Sequence, residues 1–158
     1  MRSAEIQFDG AILERGFWLY LIIIEGAQGR LLYVGRTGDS SSPNAASPFA
    51  RIGQHLDARA NAKGNALGRK LKDAGVDPAS CLFRLMALGP LFPEQPTSEH
   101  HKAPRDRVAA LERDLASVLR DRGNTVVGSH HSKAAPEPEL LEEALAELER
   151  LVPELCAV

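Results

Sequence analysis

Residues 17–24 read Phe-Trp-Leu-Tyr-Leu-Ile-Ile-Ile, an apolar run of aromatic and β-branched side chains. Such side chains fit a pleated backbone, so the run predicts a strand. Glu25-Gly26-Ala27-Gln28-Gly29 supplies turn chemistry, and strand character resumes over residues 30–34. The pair reads as a β-hairpin. This is the longest apolar stretch of the chain, and it is strand-sized, far short of what crosses a bilayer; no membrane span is expected.

The rest of the chain supplies cover for that hairpin. Residues 4–13 alternate weakly and read as an N-terminal arm or short strand. Residues 38–48 are rich in Ser, Pro, Asn and Gly and predict a loop. Ser47-Pro48 has the form of a helix N-cap followed by proline at the first helical position, and predicts a helix over 48–60. A second helix over 65–74 is stopped by Gly75. Residues 81–88 read as a third strand and 89–104 as another loop. Over 105–122, Val108, Leu111, Leu115, Val118 and Leu119 recur at helical spacing, and Gly123 ends the helix. The fold class predicted is α+β: a small three-stranded antiparallel sheet flanked by helices in the order β-β-α-α-β-α. The chain divides into an arm (1–15), the body (16–127), a linker (128–138) and an acidic C-terminal helix (139–158).

A chain of 158 residues suits one domain with an appendage, and its composition is that of a globular protein. Cys81 and Cys156 stand apart, which supports neither a disulfide framework nor a zinc site. No secretory signal is recognised at the N-terminus, and the cytoplasm is the expected compartment. The formal net charge of −2 conceals a gradient. Residues 136–158 hold seven glutamates against the single Arg150, leaving 18 bases and 14 acids in the remainder. A mildly basic body is compatible with nucleic acid, because attraction to phosphate depends on the local patch.

The chain has two tyrosines, Tyr20 and Tyr33, one on each strand of the hairpin. Either alone would be ordinary half-buried packing. Arg36 follows the second at the end of Tyr33-Val34-Gly35-Arg36. Arg51 and His55 are four apart on the first helix and so share a face. Glu112 lies on the third long helix, and Asn124 follows its end. Each has a plain structural explanation when taken singly. The histidine pairs His100-His101 and His130-His131 lie in polar sequence and read as solvated loops.

The ordered set resembles the GIY-YIG nucleases over roughly residues 16–127. The family's first motif is matched by Trp18-Leu19-Tyr20 and its second by Tyr33-Val34-Gly35. A basic residue (Arg36), a helical arginine (Arg51), a polar aromatic residue one turn later (His55), a glutamate (Glu112) and an asparagine (Asn124) complete the pattern. Trp18 stands where the first motif has glycine, and the loops at 38–48 and 89–104 are longer than a minimal domain needs.

The resemblance implies a metal-dependent endonuclease acting on nucleic acid, DNA in the first instance. Glu112 would hold one divalent cation, Mg²⁺ or Mn²⁺, which keeps several waters. Arg51 and Arg36 would neutralise the phosphate. Tyr33 would activate the attacking water, with His55 as the alternative base, and Tyr20 would orient the water or phosphate. Asn124 would brace the edge of the site. A binding module that holds nucleic acid without cutting it is the competing reading. The acidic helix is expected to pack its leucine stripe on the body, to mediate a homodimer or protein contact, or to screen the basic face.

Overall fold

The computed structural model describes residues 1, 3–39, 44–59 and 61–155. Residues 40–43 of the predicted loop, Ala60 at the expected end of the first helix, and the last three residues, Cys156 included, lie outside them. The architecture is α+β. Strands β1 (Phe17–Gly26), β2 (Gly29–Arg36) and β3 (Leu82–Phe92) form an antiparallel sheet in the order β2-β1-β3. β1 is central, and from Phe17 through Ile24 every residue is buried. An unbroken apolar run is what a central strand needs when both of its faces are covered.

Leu19, Leu21 and Ile23 of β1, with Leu32 and Val34 of β2, face helix α3 (Ser98–Asp121) and helix α4 (Pro138–Leu151). Leu111, Leu115 and Leu119 of α3 are fully buried against this face, as is Leu148 of α4. The leucine stripe of the acidic helix thus closes the core, together with Val152 and Leu155 beyond it. Tyr20, Ile22, Ile24 and Tyr33 point to the opposite face, under helix α1 (Pro48–His55) and helix α2 (Ala66–Asp73).

Caps explain most helix boundaries, and they move several of those expected from sequence. Ser47 accepts from the Ala50 amide at 3.3 Å, and α1 ends at His55 rather than near residue 60. Strand β3 continues four residues past the expected end, through the cis Gly89-Pro90 peptide to Phe92. Thr97 caps α3 by accepting from His100 N at 3.3 Å, so the helix begins at Ser98 and carries Pro104 inside it. Sequence alone ends the preceding loop at that proline and starts the helix at Arg105. The N-terminal segment shows a short 3-10 turn at Gly10–Leu13, capped by Asp9, in place of a strand.

After α3 the chain runs back along β2. Leu32 N donates to Thr125 O at 2.9 Å and Val127 N to Leu32 O at 2.8 Å, giving a parallel bridge between Leu32 and Val126. The segment that follows is tied down by Arg113, which donates to the carbonyls of Ser132 (2.8 Å) and Ala134 (3.0 Å).

Candidate active site

The site begins with a glycine. Tyr20 of β1 pairs with Gly35 of β2, and the phenol ring lies directly over it. A Cβ at Gly35 would stand 2.5–2.6 Å from the ring edge and hydroxyl of Tyr20. Only a residue without a side chain leaves that space, which gives the Tyr-Val-Gly sequence a structural reason. Tyr33, one step across the same face, brings its ring centroid to 6.5 Å from that of Tyr20.

Helix α1 adds the third aromatic group. His55, the last residue of the helix, is 1% exposed, and its Nε2 lies 2.7 Å from the Tyr20 hydroxyl. Burial, aided by Arg51, lowers its pKa from 6.5 to about 4, so the imidazole is neutral at pH 7. Its Nδ1 is buried near the Gly64 backbone without a well-formed hydrogen bond. With the proton on Nδ1, the Tyr20 hydroxyl donates to Nε2. Tyr20 itself is buried, and desolvation with the neighbouring Tyr33 raises its phenol well above the usual range. Tyr20 and His55 therefore occupy each other.

Tyr33 differs. Among the described residues no hydrogen bond engages its hydroxyl, while the ring packs edge-on to His55 at 5.3 Å. Burial and then the Glu112 charge raise its pKa, while Arg51 and Arg36 pull it down. These opposing influences show that charges from β2, α1 and α3 converge on one phenol.

Those charges form two pairs. Arg36 Nε donates to Glu112 Oε2 at 2.9 Å, with about a fifth or less of either side chain exposed. Arg51 pairs with Asp39, which follows the end of β2, and also donates to Gln54 Oε1 at 3.1 Å. Glu112 nevertheless has a raised pKa: burial pushes the carboxyl up and Arg36 only partly offsets it. Arg36 Nη1 and Arg51 Nε are buried without partners. Unpartnered buried donors beside a desolvated carboxylate are costly to the folded state and are suited to an anionic ligand.

The structure thus unites Tyr20, Tyr33, Arg36, Arg51, His55 and Glu112. Asn124 is used elsewhere: its amide donates to Leu119 O at 3.1 Å and Leu155 O at 3.4 Å, closing the end of α3. Three neighbours carry no mark in the sequence pattern. Asp39 holds Arg51, Lys70 lies over the Tyr33 ring at 5.4 Å, and His130 packs on Tyr33 with centroids 6.4 Å apart. His130 is part-buried, and its Nε2 donates to Val34 O at 2.9 Å, in contrast to the solvated loop expected. His101 is buried too, 3.0 Å from Gly38 O and packed on Phe17. Both histidines stand in polar stretches that carry no periodic signal to place them. Trp18, standing at the motif's glycine, is buried, and its ring packs on Gly89.

No family model, no curated protein and no solved structure matches this chain.

The donor set can be tested against the divalent cation that the resemblance implies. Among the described residues no three His, Cys, Asp or Glu side chains gather around a point. Glu112 is a hard oxygen donor whose raised pKa marks negative charge incompletely compensated. A single such carboxylate suits a cation that retains most of its water. The residues fit. No helix is long and apolar enough to cross a membrane among the described residues.

Proposed function

We propose that this chain is a GIY-YIG-type endonuclease that hydrolyses phosphodiester bonds of nucleic acid, with DNA as the first substrate to test. The supporting observation is the convergence of Arg36, Arg51 and Glu112, from three elements distant in sequence, on the phenol of Tyr33. A pure binding surface has no need of a desolvated carboxylate paired with Arg36.

The residues divide the work as follows. Arg51 and Arg36 set positive charge beside the substrate phosphate and neutralise charge that grows on it. Tyr33, in its phenolate form, takes the proton of the attacking water and becomes the neutral phenol; its oxygen is unengaged while His55 Nε2 is committed to Tyr20. Tyr20, fixed by His55 and by the flat surface of Gly35, orients that water through its oxygen. Glu112 would hold a divalent cation through its carboxylate. When bound, such a cation supplies positive charge against the phosphoryl oxygen and the leaving 3′ oxygen.

The test is cleavage of labelled single-stranded, duplex and branched DNA, and of RNA, with Mg²⁺ or Mn²⁺. Cleavage that chelation abolishes, and that Glu112→Ala reduces by roughly a hundredfold or more, is expected. Undiminished cleavage by Glu112→Ala would remove the carboxylate's role. Binding without cleavage of any substrate would leave a binding module on the same fold.

A further inference from the structure

We propose that Lys70 forms a second phosphate subsite beside Tyr33, taking a backbone phosphate next to the one that is cut. The proposal rests on the nuclease reading of the site and extends it to a residue outside the motif set.

Charge comes first. Arg36 and Arg51 each face a carboxylate, Glu112 and Asp39. Lys70 does not: among the described residues its ammonium makes neither an ion pair nor a hydrogen bond, although the side chain is only partly exposed. Its charge is felt by His55, Glu112 and His130, which surround the Tyr33 ring. The two pairs cancel, and Lys70 leaves this cluster with a net positive charge.

Geometry holds it there. Lys70 lies on α2 with its Nζ over the Tyr33 ring at 5.4 Å, a favourable place for a cation. On its other side is Gly128, whose φ of +92° and missing side chain leave the space the ammonium fills. A Cβ at Gly128 would overlap Nζ and the end of the lysine stem. The glycine is kept in place by Arg120, which donates to Gly128 O at 2.7 Å and to His130 Nδ1 at 3.1 Å, while His130 donates through Nε2 to Val34 O at 2.9 Å. Both ring nitrogens are thereby used, so His130 is a positioning residue and the ammonium is the group left for an anion. An ordinary solvated lysine would also lay its stem on an aromatic ring. Here the ammonium also lies against Gly128, a glycine in the left-handed region of a segment bridged to the sheet.

The experiment is fluorescence anisotropy with labelled DNA without divalent metal, over about 50–200 mM salt, for wild type, Lys70→Gln, Lys70→Arg, Gly128→Ala and Arg51→Ala. Lys70→Gln removes one phosphate partner, which lowers the salt slope by about one and weakens binding several-fold at the low-salt end. Lys70→Arg keeps the slope, and Gly128→Ala reproduces the loss. Under cleavage conditions Lys70→Gln raises KM more than it lowers kcat. If Lys70→Gln keeps the wild-type slope and affinity while Arg51→Ala loses them, the subsite is overturned and the nuclease reading stands. A wild-type protein that binds no nucleic acid overturns both. If Gly128→Ala binds as wild type does, the positioning by Gly128 is overturned.

Discussion

The two faces of the sheet are covered in opposite ways. One carries α3, 24 residues long, and α4, 14 residues long, over a continuous layer of leucine, isoleucine and valine. The other carries α1 and α2, each 8 residues long, over a layer that includes both tyrosines and a buried histidine. The first face buries almost only side chains that have no chemistry, with Arg36 of β2 and Glu112 of α3 paired at its edge. The second desolvates both tyrosines and His55 and leaves donors of Arg51 and His55 unpartnered. Such groups oppose folding, so the closed face supplies the stability that lets the other be built this way.

The largest effect on that contrast comes from the closed face. Leu115 is fully buried in the middle of α3. Leu115→Ala is expected to cost about 2–5 kcal/mol in urea unfolding, with cleavage per folded molecule unchanged at low temperature. A cost below about 1 kcal/mol would show that α3 is not the main support.

Gly35→Ala tests the join between the faces. The added methyl meets the Tyr20 ring at 2.5–2.6 Å, so the ring must leave its place against His55. About 1–3 kcal/mol of stability should go with it, and cleavage should fall more than stability accounts for. An alanine variant with wild-type activity would show that the Tyr20–His55 contact has no part in the reaction.

Titration separates the two candidate bases. Tyr33 is raised by burial and Glu112, so below its pKa each pH unit raises the phenolate fraction tenfold. The logarithm of the cleavage rate is therefore expected to climb steadily from about pH 6 to about pH 9. His55, with its pKa near 4, is already neutral above about pH 5; were it the base, the profile would be flat over that range. The lowered pKa also has a stability consequence. The unfolded chain takes up the His55 proton first, so this contribution is intact above about pH 6.5 and is lost as pH falls toward 4.

What sequence can show follows from where each signal lies. The hairpin is legible because an apolar β-branched run followed by Gly-rich turn residues has few alternatives. The stripe of α3 is legible because Leu111, Leu115 and Leu119 repeat at helical spacing. The first turns of α3 are not, since residues 98–107 are polar apart from a buried His101 and two small or cyclic residues. Site members that belong to an ordered pattern can be picked out from the sequence. Asp39, Lys70 and His130 cannot, because they reach the site through tertiary events. Lys70 depends on how α2 lies over the hairpin, and His130 on the return of the chain along β2. Neither event leaves a period or a motif in the residues concerned.

The central claim is that the tyrosine-bearing face performs phosphodiester hydrolysis through Tyr33. Single-turnover cleavage of a DNA substrate by wild type and Tyr33→Phe, with DNA affinity and unfolding midpoint measured on the same samples, tests it most directly. The phenylalanine keeps the ring against His55 and Lys70 and removes only the hydroxyl. The expected result is a rate lower by roughly a hundredfold or more, with affinity and midpoint nearly unchanged. Equal cleavage rates for the two proteins would contradict it.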